Sequence, residues 1–119
     1  KFAEGLATHM HHIFPENEFQ EISGYVENLI ALTPSQHFQK AHPDGNTRII
    51  DKGFQQICLL AKADHIEENI KYGQEVIYSF DNFKFVLSVG FDNNEFEEIE
   101  DMNFSEVVRL INIQYIVCG

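Results

Sequence analysis

The sequence is poor in basic residues and in cysteine. Only 8 of its 119 residues are Lys or Arg, against 19 Asp or Glu, which gives a formal net charge of −11. This deficit is the main argument against nucleic-acid binding, because affinity for DNA comes largely from Lys and Arg contacts to phosphates. Cys58 and Cys118 have no metal-ligand spacing, so we expect two buried, reduced thiols, with a disulfide between them as the alternative.

Long apolar runs and several common catalytic motifs are also missing. No apolar stretch is long enough to span a membrane and none has the pattern of a signal peptide, so we expect a soluble, cytoplasmic protein with no membrane partner. The chain starts at Lys1 and not at Met, which suggests a fragment of a longer protein. The segment after residue 47 contains no glycine-rich phosphate loop and no serine elbow. The length suits one compact domain, and a 44% apolar content can supply its core.

Two short stretches carry most of the chemistry-bearing residues. The first reads His11-His12-Ile13-Phe14-Pro15, and the second runs from Asn28 through Leu29 and Leu32 to His37. Residues 8–14 and 28–32 are predicted to form strands, joined by a polar connection over residues 15–27. Thr33, Pro34 and Gln36 are typical of a helix start with a capping box. His37 is therefore predicted in the first turn of that helix.

This order resembles the active-site signature of the HNH nucleases, in which Asp or His precedes His-Ile-x-Pro and Asn-Leu-x-x-Leu is followed after four residues by His. The match spans residues 11–37 and includes apolar positions as well as histidines, which makes it more specific than a pair of histidines alone. The resemblance implies a strand-strand-helix arrangement, the ββα-metal module, within an α+β fold.

The resemblance also implies a role for each polar residue. His11 and His37 would bind one divalent metal ion, His12 would be the general base, and Asn28 would hold either the loop or the ring of His12. Adjacent residues of a strand point to opposite faces, so His11 and His12 cannot both reach one atom. Of Mg, Mn, Zn, Ni and Co, an all-imidazole ligand set favours the last four over Mg.

The sequence differs from many family members where they carry Cys pairs that bind a structural zinc. Thr33 and Gln36 stand at those positions, so no structural zinc is expected. The module would then depend on apolar packing, for which the candidates are Ile13, Phe14, Phe19, Ile22, Leu29, Ile30, Leu32 and Phe38.

Some further residues have two interpretations each. His42 is either a third metal ligand or part of the turn that ends the helix before Pro43. Lys40 and Arg48 contact DNA phosphates or are solvated surface residues. His9 either lines the same strand face as His11 or is an ordinary, partly exposed histidine.

We divide the chain into residues 1–47, the HNH ββα-metal motif region, and residues 48–119, a supporting α+β segment of the same domain. In the second part the spacing predicts one helix over residues 51–63 and another from Asp64 to near Gly73. An antiparallel hairpin of strands 76–80 and 83–91 follows, and then an acidic linker over residues 92–102. The last element is predicted to be a helix capped by Asn103 or Ser105, with a strand toward Val117 as the alternative. The alternating apolar series Phe83, Phe85, Leu87, Val89 and Phe91 is predicted to be core and not a base-stacking platform.

The negative charge is concentrated after residue 63. Residues 1–63 hold five basic and seven acidic residues, whereas residues 64–119 hold three and twelve. The resemblance to the HNH signature implies a metal-dependent endonuclease that hydrolyses DNA phosphodiester bonds, most simply the catalytic domain of a restriction or defence enzyme. Further domains of a longer chain, or a homodimer, would supply DNA affinity and double-strand cutting.

Two other functions are consistent with the sequence. An acidic protein-binding module of the immunity type would have a purely structural His cluster, and the net charge favours it. A secreted nuclease toxin would have the same motif, but the usual basic character of that class is absent here.

Overall fold

A computed structural model describes residues 9–36 and 51–118 of the chain. This part has the α+β composition predicted from the sequence. Its elements in chain order are strand β1 (His9–His12), the 3₁₀ helices Gln20–Ile22 and Val26–Asn28, strand β2 (Leu29–Leu32), helix α1, described over Pro34–Gln36, helix α2 (Lys52–Tyr72), helix α3 (Phe80–Phe91), the 3₁₀ helix Asn94–Glu98, and helix α4 (Phe104–Cys118).

The two strands pair as an antiparallel hairpin. His12 lies opposite Leu29 and His11 lies opposite Ile30. The pairing is shorter than the predicted strand over residues 8–14, because the chain leaves the ladder after His12 and turns inward. Ile13 and Phe14 are 0% and 2% exposed, so this turn belongs to the hydrophobic core.

The predicted helix start at Thr33 is confirmed. The Gln36 backbone N–H donates to Thr33 Oγ1 at 3.1 Å, and the Thr33 N–H donates to Gln36 Oε1 at 3.0 Å. The two residues thus satisfy each other's free backbone donors, as a capping box does, and the helix begins at Pro34.

Helix α2 corrects the prediction of two helices separated at Asp64. It is one helix of 21 residues, capped at its start by Asp51, whose carboxylate accepts from Phe54 N–H at 3.0 Å. Asp64 lies on the exposed face, while Ala63 and Ile66 continue the buried face. An Asp followed three residues later by a Glu occurs on solvated helix surfaces as well as at helix starts. Here the pair belongs to the solvated surface of α2. The predicted end near Gly73 is confirmed.

Helix α3 shows that the predicted hairpin over residues 76–91 is wrong. Residues 80–91 are helical, and Ser79 caps the helix by accepting from Asn82 N–H at 3.1 Å. The alternating apolar residues misled the assignment because a short segment rich in apolar residues fits both a strand and a buried helix. Their predicted role in the core is correct, since Phe83 and Leu87 are fully buried and Phe85, Val89 and Phe91 pack against the core.

The last helix was predicted correctly, and the strand alternative toward Val117 is wrong. Asn103 Oδ1 accepts from Glu106 N–H at 3.3 Å at the start of α4, and the helix continues to Cys118. The acidic linker before it is not wholly irregular, because it contains the 3₁₀ helix Asn94–Glu98.

The turn after β1 and helix α3 share one core. The ring of Phe14 makes edge-to-face contacts with Phe19 and Phe91, with centroid distances of 5.6 and 5.1 Å. Gly90 allows α3 to come this close, because a Cβ at position 90 would lie 2.5 Å from the Phe14 ring. Helix α3 of the second half therefore packs directly onto the side chain of Phe14, two residues after His12.

The predicted core of the motif region agrees with the described structure except at Leu29. Ile13, Phe14, Ile22 and Leu32 are buried, Phe19 and Ile30 pack against the core, and Leu29 is partly exposed, while Phe38 lies outside the described residues. Across residues 9–36 and 51–118, no helix has the length and apolar character needed to cross a membrane.

Candidate functional site

His11 and His12 occupy neighbouring positions at the end of β1 and differ in exposure. His11 is only 2% exposed, and its ring centroid lies 6.5 Å from that of Phe54 in α2. His12 is partly buried. Because successive side chains of a strand project to opposite faces, the two imidazoles lie on different sides of the hairpin. One faces the helical half of the molecule, and the other faces the connection between the strands.

The ring of His12 is oriented by a backbone carbonyl. Its Nε2 lies 3.0 Å from the carbonyl oxygen of Ser23. A carbonyl can only accept, so Nε2 must carry a hydrogen and donate it. In the neutral ring the lone pair is then on Nδ1, which is the atom able to take a proton from a water molecule.

Ser23 is itself held in place by the first 3₁₀ helix. Its N–H and its hydroxyl both donate to the carbonyl of Gln20, at 3.3 and 3.0 Å. The connection between the strands is thus an ordered segment that presents a hydrogen-bond acceptor to His12. Sequence reasoning did not identify Ser23, because the group that acts is a backbone carbonyl and leaves no side-chain signal.

Asn28 is fully buried and orders the turn that follows His12. Its Oδ1 accepts from Phe14 N–H at 2.8 Å, while its Nδ2 donates to the carbonyls of Phe14 and Ile22 at 3.1 and 3.4 Å. Its backbone carbonyl accepts from Ile13 N–H at 2.8 Å. Asn28 was expected to hold either the loop or the ring of His12. These hydrogen bonds hold the loop. The His12 ring is held by Ser23.

A second buried amide reaches the same turn from α2. Gln55 is 3% exposed, and its Nε2 donates to the carbonyl of Ile13 at 3.0 Å. Its Oε1 accepts from the Tyr115 hydroxyl in α4 at 2.7 Å. The sequence offered one signal for this residue, a polar side chain within the apolar pattern of α2, but its partner lies 42 positions away.

A buried carboxylate joins the motif region to α3. Glu27 is 1% exposed, and its Oε2 accepts from the Ser79 N–H at 2.8 Å, at the start of α3. A negative charge near the start of a helix is favourable because the helix dipole is positive at that end. Glu27 was not singled out from the sequence, and no local pattern distinguishes it from a surface glutamate.

Cys58 is a buried thiol and not a reactive one. It is 3% exposed and free of any disulfide. Burial raises the pKa of its thiol to about 11, so at neutral pH it carries its proton and is a poor nucleophile. This agrees with the expected buried, reduced form. The side chain of Cys118 lies outside what the structure describes.

The other predicted site residues, His37, His42, Lys40 and Arg48, lie outside the described residues. Within the described ranges, no three His, Cys, Asp or Glu side chains come together as a metal site. His11 and His12 directly precede the turn at Ile13 and Phe14 that Asn28 holds. Helix α1 begins at Pro34, with only Thr33 between it and β2, and position 37 follows in the sequence directly after the described part of α1. His9, at the other end of β1, is exposed.

Comparison with known proteins identifies no relative: no protein-family model, no curated protein and no solved structure matches the chain.

Proposed function

We propose that this chain is a metal-dependent endonuclease domain of the HNH type, which hydrolyses DNA phosphodiester bonds with His12 as the general base. One observation carries the proposal. The bond from His12 Nε2 to the Ser23 carbonyl fixes the tautomer that leaves Nδ1 free to accept a proton. A general base needs this arrangement, with one ring nitrogen held by a hydrogen bond and the other able to take the proton.

The surroundings of His12 support the same function. A general base must be held rigidly relative to the water that it deprotonates. Asn28 and Gln55 together pair the N–H and carbonyl groups of Ile13 and Phe14, directly after His12. The imidazole therefore stands between two fixed points, the turn that follows it and the Ser23 carbonyl.

His11 and His37 are the residues that would hold the divalent ion, with His42 as a third donor. Imidazole nitrogens are suitable ligands for Zn, Ni, Co and Mn. Such an ion supplies positive charge for the phosphate and for the departing 3′ oxygen. In the reaction, His12 takes a proton from water, the resulting hydroxide attacks phosphorus, and the bond to the 3′ oxygen breaks. Lys40 and Arg48 would contact neighbouring phosphates.

The charge distribution bears on how DNA could approach. Six acidic side chains are exposed between residues 92 and 101, which we call the acidic segment. Lys84 fixes this segment to α3 by donating to the carbonyl of Ile99 at 2.9 Å. DNA would be repelled there, so it would have to bind at another face, with additional affinity from further domains or a second copy.

The same acidic segment favours one alternative function, an acidic module that binds a basic protein. An ordered surface of one charge promotes fast association with a partner of opposite charge. The His cluster would then be structural, and neither divalent metal binding nor cleavage would be expected.

Cleavage of supercoiled plasmid separates the two functions. The parent is assayed with Mg, Mn, Co, Ni and Zn, with a chelator control, beside His12→Ala, His37→Ala and the matched control His65→Ala on the exposed face of α2. We expect metal-dependent nicking by the parent and by His65→Ala. His12→Ala should bind metal without cleaving, and His37→Ala should lose both properties. A His12→Ala protein as active as the parent would contradict the nuclease assignment.

A further inference from the structure

Gln55 stands out among the buried polar residues because both ends of its amide are used, in two different parts of the molecule. Nε2 donates to the Ile13 carbonyl at 3.0 Å, and Oε1 accepts from the Tyr115 hydroxyl at 2.7 Å. The residue thus connects α4, through α2, to the turn directly after His12.

The orientation of this amide is determined by its partners. The Ile13 carbonyl can only accept, so the NH₂ group must face it, and the amide oxygen must then face Tyr115. A hydroxyl can donate as well as accept, which allows Tyr115 to satisfy that oxygen. Since Ile13 and Gln55 are buried, an alternative arrangement would leave a buried polar group unpaired.

The Ile13 carbonyl is the group of the turn that Asn28 does not reach. Asn28 pairs with the N–H of Ile13 and with both polar groups of Phe14. The motif region therefore orders three of the four polar groups after His12, and the helical half orders the fourth. That contact links the second half of the chain to the geometry of the base.

We propose that Gln55 is a positioning residue for His12, and that Tyr115 acts through it. This inference rests on the proposed nuclease function. Gln55 does not touch substrate; it fixes the peptide between Ile13 and Phe14, the second peptide after His12, and through it the direction in which Nδ1 points. The segment over residues 48–119 would then contribute to the reaction as well as to stability.

The chain offers a matched control in the next residue. Gln56 Nε2 donates to Asn112 Oδ1 at 2.8 Å, which is a second side-chain bond between α2 and α4. This bond lies away from the turn that follows His12, so Gln56→Met removes a comparable helix-to-helix bond and leaves that turn intact. Tyr115→Phe is the milder variant on the Gln55 side, because it removes only the hydroxyl and keeps the ring against Phe91.

The test compares Gln55→Met, Tyr115→Phe and Gln56→Met with the parent in plasmid cleavage and in nuclear magnetic resonance of the His12 ring. We expect kcat to fall by about tenfold or more in Gln55→Met and by less in Tyr115→Phe, with KM and metal affinity unchanged. The His12 ring carbon and nitrogen shifts should show a loss of the pure Nε2–H tautomer in the same order. Gln56→Met should match the parent in both measurements.

The inference is overturned if Gln55→Met and Gln56→Met have equal kcat and equal His12 spectra. If Gln55→Met does not fold, Tyr115→Phe tests the inference in its place. A kcat and a His12 spectrum equal to those of the parent would then overturn the inference. An inactive parent would instead contradict the proposed function, and the His12 spectra would still decide whether Gln55 orients the ring.

Discussion

Asn28 holds the backbone of Phe14 at both of its polar groups. The Phe14 N–H donates to Asn28 Oδ1 at 2.8 Å, and Asn28 Nδ2 donates to the Phe14 carbonyl at 3.1 Å. Asn28 is fully buried, so water cannot replace these bonds if one is lost. The residue is therefore expected to matter for folding as well as for the proposed chemistry.

Asn28→Asp should be strongly destabilising. The new side chain has no N–H for the carbonyls of Phe14 and Ile22, and it places a carboxylate against both. We expect a loss of roughly 2–4 kcal/mol in the free energy of unfolding, measured by urea denaturation. Asn94→Asp, at an exposed position, is the control and should be close to neutral. Equal urea midpoints for the two variants would contradict the role given to Asn28.

Gly90→Ala should destabilise the protein, although Ala is normally the better helix former by about 1 kcal/mol. The added Cβ would lie 2.5 Å from the Phe14 ring, so α3 or the ring must move. We expect a net cost of about 1–3 kcal/mol by thermal or urea unfolding. Gly24→Ala is the matched control, because nothing lies within 4 Å of a Cβ there. A Gly90→Ala protein more stable than the parent would show that α3 does not pack on Phe14 in this way.

Cys58 should make stability fall at alkaline pH. Burial raises the pKa of its thiol from 9.0 to about 11. The folded protein therefore holds this proton more tightly than the unfolded chain. The protonated thiol therefore contributes fully to the free energy of unfolding below pH 9. This contribution, roughly 2–3 kcal/mol in total, is lost as the pH rises toward 11. Urea denaturation of the parent and of Cys58→Ala between pH 7 and 11 measures it.

The difference in the free energy of unfolding between the parent and Cys58→Ala isolates the effect of the thiol, because the two proteins differ only at position 58. Cys58→Ala should be less stable at neutral pH, where it lacks the packing of the sulfur, and the gap should narrow as the pH rises. A gap that stays constant would show that the thiol is not buried as described.

Local chemistry made some parts of the fold predictable. The capping box at Thr33 and Gln36 and the cap at Asn103 depend on neighbours within four residues, so the sequence contains the whole signal. Helix α3 was missed because the choice between strand and helix for an apolar segment is made by its tertiary neighbours. Gly90 against Phe14 is one such contact, and nothing local indicates it.

The residues of the candidate site were likewise predictable only in part from the sequence. The resemblance to the HNH signature implied that Asn28 would hold either the loop or the ring of His12, and its hydrogen bonds are to Ile13 and Phe14 of the loop. The acceptor at Ser23 and the donor at Gln55 could not be inferred. The first is a backbone group, and the second reaches the site only because α2 packs on the turn.

The most direct test of the account is the cleavage rate of His12→Gln relative to the parent, with the metal ion that best supports the parent. The Gln side chain has an NH₂ group that can still donate to the Ser23 carbonyl, but it has no basic nitrogen. The account predicts a folded protein whose rate is lower by about two to four powers of ten. A folded His12→Gln protein that cleaves at the parental rate would show that His12 is not the general base.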